Sequence, residues 1–120
     1  MHATVRRAAP ADAAIIAEFN RLLALESENV VLDPVKLAAG VAAVLADPVK
    51  GLYFVAEQDG QIVGQLGITS EYSDWRNGWQ WWIQSVYVRP EYRRRGVFRA
   101  LYAHVERLAT EDPEVVGLRL

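Results

Sequence analysis

The sequence predicts one α/β (α+β) domain whose elements follow the order β-α-α-β-β-β-α-β. Runs rich in β-branched and aromatic residues, typical of strands, alternate with stretches whose apolar residues recur at steps of three and four, typical of amphipathic helices. The chain has 120 residues, of which 52% are hydrophobic, and this is enough apolar material for one core. We therefore expect residues 1–120 to form a single domain.

The first half of the chain is predicted to hold one short strand and two helices. Residues 4–8 form the strand, and Pro10-Ala11-Asp12 opens a helix that ends near Glu26. Asp33 is a good N-cap and Pro34 suits the first position of the second helix. That helix stops at Asp47-Pro48, because proline cannot continue it.

Three strands are predicted to follow. The first two, residues 52–57 and 62–72, are joined by a turn that contains Asp59-Gly60. This dipeptide is the strongest short signal for a hairpin. The third strand, residues 79–88, is dense in aromatic and β-branched side chains.

A helix and a last strand complete the predicted order. The helix runs from Gly96 to about Glu111, with apolar residues at the spacing of one helical face, and Asp112-Pro113 stops it. The apolar run from Val115 to Leu120 is the fifth strand.

The segment from Val86 to Leu101 is the most informative part of the chain. Pro90 ends the strand, a turn with arginines at 93, 94, 95 and 99 follows, and Gly96 stands where the helix begins. A helix N-terminus has free N–H groups and partial positive charge, and glycine lets an anion approach the backbone. The pattern therefore favours a phosphate site, although arginine runs are also found on plain solvated surfaces and in nucleic-acid binders.

The same segment resembles the acetyl-CoA-binding motif of the GNAT-type N-acetyltransferases. The motif reads Arg93-Arg94-Arg95-Gly96-Val97-Phe98, and the lead-in from Val86 to Tyr92 also matches the family. Phe98 departs from the pattern, because the family usually has glycine or alanine there. We expect the Phe98 ring to point away from the pyrophosphate and into the core.

The resemblance implies a GNAT-like acyl-CoA N-acyltransferase fold, in which helices flank a mixed, mostly antiparallel sheet. It implies transfer of an acetyl group from acetyl-CoA to a primary amine of a small molecule or protein, by direct attack and without a covalent enzyme intermediate. The pantetheine arm would pair with the last predicted strand before the motif, and the pyrophosphate would lie on the turn. The implied cofactor-binding residues are Val86, Tyr87, Val88, Arg93, Arg94, Arg95, Gly96, Val97, Phe98 and Arg99.

Catalytic groups are harder to place by resemblance. The family often uses a carboxylate near the start of the strand before the motif, but no carboxylate stands there in this chain. Glu71 and Tyr72, at the end of the preceding strand, are the nearest candidates, and Gln84 is a candidate to hold a water or the amine. The family's tyrosine acid lies on a later helix, which this chain does not reach. His104 is interpreted as a structural or surface residue and not as a catalytic one.

Aromatic and acidic residues suggest where the acceptor lies. Trp79 and Trp81 share one face of their strand and Trp82 takes the other, so one face is core and the other would give the acceptor aromatic walls. Glu26, Glu28 and Asn29 are placed in the loop between the first two helices, where they either attract an amine or are simply solvated.

The chain stops inside the predicted fifth strand, whereas the family fold continues with another helix and further strands. We expect either a truncated chain or a short natural variant, and favour truncation. Either leaves an apolar strand edge uncovered, so a homodimer or a strand-exchanged oligomer is expected.

Composition narrows the function classes. The net charge is −2 and there are no cysteines, which argues against a dedicated nucleic-acid binder and against thiol or cysteine-ligated metal chemistry. No metal site, membrane segment or signal peptide is recognised, and a cytoplasmic location is expected. The alternatives to an acetyltransferase are a module that only binds CoA and, less favoured, a nucleic-acid binder.

Overall fold

The computed structural model describes residues 2–120 and confirms the predicted order of elements. Two 3₁₀ turns, Pro10–Asp12 and Pro90–Tyr92, precede the first and third helices. The strands are β1 (Thr4–Arg7), β2 (Leu52–Gln58), β3 (Gln61–Ser73), β4 (Gly78–Val88) and β5 (Val115–Arg119). The helices are α1 (Ala13–Glu28), α2 (Pro34–Ala46) and α3 (Val97–Glu111).

The strands form one sheet in the order β1-β2-β3-β4-β5, and only β4 and β5 run parallel. The predicted mixed, mostly antiparallel sheet is thus confirmed. Asp59 and Gly60 join β2 to β3 with φ values of 54° and 74°, as a two-residue hairpin turn with right-handed strand twist requires.

Strand β4 changes character at a β-bulge. Ser85 pairs with Gly67 and Ile83 pairs with Ile68, so Gln84 is the extra residue on β4. Strand β5 pairs with β4 only over Trp79–Trp82. Beyond the bulge, β4 therefore has a neighbour on one side and a free edge on the other.

Two clusters of buried residues hold the helices on opposite faces of the sheet. Helix α3 packs Val97, Leu101 and Val105, spaced four residues apart, against strand residues that include Phe54 and Leu66. On the other face, α1 and α2 pack against β2. The core residues of that face are Ile16, Val41 and Val55.

The ends of α1 and α2 show how local chemistry sets helix boundaries. Asp33 caps α2 as predicted, because its Oδ1 accepts from the backbone N–H groups of Val35 at 2.9 Å and Lys36 at 3.3 Å. Helix α1 runs two residues beyond its predicted end and stops at Asn29, whose φ is 54°. Asparagine tolerates this left-handed conformation. The expectation that Glu26 and Glu28 lie in a loop is wrong, because both belong to the last turn of α1.

Candidate functional site

A cavity of about 760 Å³ lies beside the free edge of β4. Its walls come from residues 23–27 of α1, residues 86–88 of β4, and the turn and first residues of α3 between 92 and 99. All the residues predicted to bind the cofactor line it, except Arg95. The fold therefore brings the predicted set together in one concave site.

The N-terminus of α3 forms one end of this cavity and has no side-chain cap. The first backbone bond of the helix runs from the Ala100 N–H to the Gly96 carbonyl at 3.0 Å, so the N–H groups of residues 97–99 have no partner within the helix. Gly96 has φ 84°, and a Cβ built on it meets no atom within 4 Å. The open backbone and the helix dipole favour an anion here.

Arginine side chains add positive charge around that end. Across residues 2–120, neither Arg94, Arg95 nor Arg99 forms a salt bridge with a carboxylate. The Arg95 guanidinium lies 5.4 Å from the centre of the Tyr92 ring. These three cations are therefore not neutralised by carboxylates of the described chain.

Arg93 is held differently, because its guanidinium is bound to residues of the cavity wall. Its Nη2 lies 3.0 Å from Glu26 Oε1, and its Nε donates to the Val88 carbonyl at 2.9 Å. The guanidinium also lies 5.3 Å from the centre of the Tyr87 ring. The structure thus places Arg93 between β4 and the end of α1.

Glu26 joins the same cluster through Tyr87, whose hydroxyl donates to Glu26 Oε2 at 2.9 Å. The Arg93 guanidinium, followed by the Tyr87 hydroxyl, lowers the pKa of Glu26. Burial, followed by the Glu26 carboxylate, raises the pKa of Tyr87. At neutral pH Glu26 is therefore ionised and Tyr87 is protonated.

Glu26 was not predicted to line this cavity. Phe19, Leu23 and Glu26 follow one another at steps of four and three, which places them on one side of α1. Phe19 contacts Tyr87 with ring centroids 5.1 Å apart. Had α1 been predicted to extend to Glu28, Glu26 would have been placed on the side of the helix that faces β4.

The basic turn is tied to the β2–β3 hairpin. The buried Tyr92 hydroxyl donates to Asp59 Oδ2 at 2.8 Å and accepts from Gln61 Nε2 at 3.1 Å. Arg89 adds two bonds to backbone carbonyls of β3, from its Nε to Ile62 at 2.9 Å and from its N–H to Val63 at 2.8 Å. The turn is therefore held in place before any ligand binds.

The expectation that Phe98 points into the core is wrong. Its side chain is 43% exposed, lines the cavity, and lies 6.0 Å from the Tyr102 ring. The buried face of α3 is taken by Val97, Leu101 and Val105, and the residue after Val97 is turned about 100° away from it. The bulky ring consequently forms part of the cavity wall.

The predicted catalytic residues lie outside the cavity lining. Glu71 Oε1 accepts from Trp82 Nε1 at 3.2 Å, and Gln84 Nε2 donates to Thr69 Oγ1 at 2.8 Å. Tyr72 donates to Asn77 Oδ1 and meets the Trp79 ring edge-on at 5.2 Å. The structure thus brings none of the three to the free edge of β4 past the bulge.

The tryptophans and His104 lie outside the cavity lining. Trp81 is buried in the core, whereas Trp75 is 96% exposed. His104 lies 5.5 Å from the Phe54 ring, and burial, followed by the charge of Arg107, lowers its pKa. The structural interpretation of His104 agrees with this packing.

Between residues 2 and 120 no group of three or more histidine, cysteine, aspartate or glutamate side chains is placed to hold a metal ion. None of the described helices is long and apolar enough to cross a membrane.

The free edge of β4 and the uncapped N-terminus of α3 together suit an extended, phosphate-bearing ligand. Comparison with protein families agrees, because residues 19–118 match the model of the acetyltransferase (GNAT) family. The chain therefore belongs to the GNAT acetyltransferase family, as the resemblance predicted. Comparison with functionally curated proteins finds no match.

Solved structures give the same family and fold. A possible acetyltransferase from Clostridium difficile 630 is 43% identical, with a TM-score of 0.93, covering 100% of this chain and 79% of that one. A ribosomal-protein-alanine N-acetyltransferase from Brucella melitensis biovar Abortus 2308 is 18% identical with a TM-score of 0.80, over 100% and 79%. An aminoglycoside acetyltransferase from an uncultured soil metagenomic sample, solved with sisomicin, is 20% identical with a TM-score of 0.76, over 99% and 77%.

Proposed function

We propose that this acetyltransferase moves an acetyl group from acetyl-CoA to a primary amine by direct attack of the amine. One observation carries the proposal. The free edge of β4 leads directly into an uncapped helix N-terminus surrounded by arginines that have no carboxylate partner in the described chain. A strand edge suits an amide-rich arm, and the helix end suits a pyrophosphate.

The residues present fit acetyl-CoA. Val86, Tyr87 and Val88 would pair with the pantetheine arm, and the N–H groups of residues 94–99 would hold the pyrophosphate. Gly96 leaves open space where a side chain would stand, and Arg94 and Arg99 would contact phosphate oxygens. When bound, acetyl-CoA supplies a thioester carbonyl to be attacked.

The chain would contribute binding and polarisation to this reaction. A backbone N–H near residues 86–88 would stabilise the negative charge that develops on the carbonyl oxygen as the amine attacks. The amine must arrive neutral, and Glu26 is a weak base because its pKa is lowered. Glu71, Tyr72 and Gln84 remain our candidates to hold a water or to accept the proton of the amine.

The acceptor is proposed to be a primary amine of a small molecule or protein. The relatives include an aminoglycoside acetyltransferase and a ribosomal-protein-alanine N-acetyltransferase. Both names describe those proteins and indicate amines as acceptors in this fold. The alternative partner, nucleic acid, is a control in the binding test below.

The test combines binding with turnover. CoA and acetyl-CoA should raise the melting temperature, while an oligonucleotide should not. Acetyl-CoA with a panel of primary amines should release free thiol. In Gly96→Glu, the added carboxylate and bulk should abolish CoA binding.

Gly60→Glu is the matched control for this substitution. Gly60 has φ 74° and equally open surroundings, so the two variants share the same backbone strain. Gly60 lies in the hairpin turn, outside the cavity lining, and the control should still bind CoA. Unchanged CoA affinity in Gly96→Glu would remove the assignment of the cavity.

A module that binds CoA without catalysis is the second candidate. It is favoured by the distance of the candidate catalytic residues from the cavity, since each is bonded to a neighbour on the sheet or in a loop. A thermal shift with CoA, combined with no thiol release for any amine, would select this function.

The outer edge of β5 bears on how the chain assembles. Strand β5 pairs only with β4 and presents its other edge, and Leu120 is 77% exposed. We propose that residues 1–120 act as one domain and that a second copy covers this edge by pairing or strand exchange. A well-folded monomer in sedimentation at tens of micromolar would contradict this self-association.

The proposed location is the cytoplasm. Because the chain contains no cysteines, a reducing compartment suits the protein.

A further inference from the structure

A chain of hydrogen bonds runs through the interior between the sheet and α1. Gln65 on β3 is fully buried, and its Nε2 donates to Asn20 Oδ1 at 2.8 Å. Asn20 on α1 in turn donates from Nδ2 to the Tyr53 hydroxyl oxygen at 3.0 Å. None of these three residues lines the cavity beside the free edge of β4, the proposed acetyl-CoA site, here named the cofactor cavity.

The direction of donation leaves one proton uncommitted. Because Gln65 donates to the oxygen of Asn20, the amide nitrogen of Asn20 faces Tyr53 and donates to its oxygen. The O–H of Tyr53 must then donate elsewhere, and no hydrogen bond from it to any residue in the range 2–120 is present. Gln65 Oε1 is also buried without a partner. Buried polar groups normally find partners, so the network leaves the buried Gln65 Oε1 unsatisfied and the hydroxyl proton of the half-buried Tyr53 uncommitted within the described chain.

Tyr53 and Asn20 line a second cavity, between α1 and α2, with a volume of about 500 Å³. Leu37, Val41 and Val44 give this cavity an apolar wall, and Lys36 stands among the lining residues as well. A mostly apolar cleft of this size with a few directed polar groups is typical of small-molecule sites.

Tyr53, which lines the second cavity, is linked to the bulge of β4 through one row of paired residues. Tyr53 pairs with Gly67, and Gly67 pairs with Ser85. A Cβ on Gly67 would lie 2.8 Å from Tyr53 Cε1 and 2.9 Å from Ser85 Oγ, so the tyrosine ring and the serine hydroxyl meet over the glycine. Ser85 immediately precedes residues 86–88, which border the cofactor cavity. Tyr53, a lining residue of the second cavity, therefore lies beside the β4 residue that adjoins the wall of the first.

We propose that the α1–α2 cavity holds the acceptor, and that Tyr53 selects primary amines that carry a hydrogen-bond-accepting oxygen a few atoms from the nitrogen. This inference rests on the proposed acetyl transfer to an amine. The Tyr53 O–H donates to the hydroxyl, ether or carboxylate oxygen of the acceptor, and the apolar wall contacts its carbon chain. Gln65 and Asn20 act as positioning residues, because they fix which way the Tyr53 proton faces.

The test compares two amines that differ only in one oxygen, n-butylamine and 4-aminobutan-1-ol. The kcat/KM of the wild-type protein should favour the amino alcohol by about tenfold, as expected for a directed hydrogen bond in a partly buried site. In Tyr53→Phe the ratio should fall to near one. Tyr102→Phe, which removes a hydroxyl from α3 on the opposite face of the sheet, should keep the wild-type ratio.

A second variant keeps the Tyr53 hydroxyl but engages its proton in a hydrogen bond within the protein. In Asn20→Asp, the carboxylate can still accept from Gln65 and can now accept the Tyr53 O–H, so the preference for the amino alcohol should again disappear. This variant keeps the hydroxyl in place even if Tyr53→Phe fails to fold. Equal kcat/KM for both amines in the wild type, or a tenfold preference that survives in both variants, would overturn the proposal.

Equilibrium binding separates this inference from the proposed function. The affinities of both amines are measured by calorimetry on protein saturated with CoA. A tenfold binding preference that vanishes in Tyr53→Phe, without acetylation of any amine, supports the cavity and contradicts the transferase. Acetylation of both amines at equal efficiency and with equal affinity supports the transferase and contradicts the cavity.

Discussion

The two halves of β4 differ in their neighbours, although they are one continuous strand. Trp79–Trp82 pair with β3 on one side and β5 on the other, whereas residues 85–88 pair with β3 alone. The first half carries the buried Trp81, and the second borders the cofactor cavity. The bulge at Gln84 separates a half that holds the sheet together from a half that is available to a ligand.

Close packing maintains the paired half. Gln80 is buried, and its side-chain amide lies directly against Gly117 of β5, where a Cβ would collide with it. In the free half, the contacts beyond β3 are made by side chains, as when Tyr87 reaches Glu26 and Phe19. The difference teaches that the residues of β4 that hold the sheet together are not those that we propose contact a ligand.

The largest expected effect tests the paired half. Trp81→Ala should lower the free energy of unfolding by about 3–5 kcal/mol, because it leaves a cavity in the core. Urea unfolding measures this change. Trp75→Ala, at a side chain that is 96% exposed, is the control and should change stability by no more than about 0.5 kcal/mol. The folded fraction of Trp81→Ala should bind CoA as the wild type does, and a loss of affinity would show that the two halves are coupled.

An intermediate effect is expected where the free half meets the hairpin. Tyr92→Phe keeps the ring but loses the bonds to Asp59 and Gln61, which should cost about 1–2 kcal/mol of stability. CoA binding should also weaken, because the basic turn is less firmly held. Asp59→Asn retains an acceptor oxygen and should behave more like the wild type in denaturation and titration calorimetry. Equal losses in both variants would point to the charge of Asp59 instead.

The smallest expected effect concerns Glu26. Glu26→Gln removes the ion pair with Arg93 at an exposed position, so stability should hardly change. CoA should bind more tightly, because the guanidinium no longer has a competing carboxylate. Glu18→Gln, which breaks a surface pair within α1, should leave CoA affinity unchanged. Weaker binding in Glu26→Gln would instead show that Glu26 positions Arg93 for the ligand.

The stability difference between the wild type and Glu26→Gln should depend on pH with a definite sign. The folded state lowers the pKa of Glu26, so its contribution to stability is present above the unfolded pKa and is lost as pH falls through the folded pKa. Any stability difference between wild type and Glu26→Gln should therefore be constant from pH 6 to pH 8 and disappear in acid. A difference that grows as the pH falls would contradict this assignment in acid-titration melts.

Local chemistry made part of the fold and site predictable. The Asp59-Gly60 turn, the Asp33 cap and the order strand, basic turn, helix depend on residues close together in sequence. The segment 86–99 was sufficient to place the predicted cofactor set around one helix end. Phe98 was misplaced because a list of apolar residues does not show which of them face the core.

The sequence by itself determined the class of elements, their order and the basic turn at the start of α3, since each depends on short-range propensity and spacing. It also gave the family, through the resemblance of the segment from Val86 to Phe98 to a family motif. Only the tertiary structure decided that Glu26 meets Arg93 across 67 residues, that β4 carries its bulge at Gln84, and that Gln65, Asn20 and Tyr53 form one network. These contacts depend on strand register and helix placement. Register and placement are set by how the whole core packs, and no short segment of sequence contains that information.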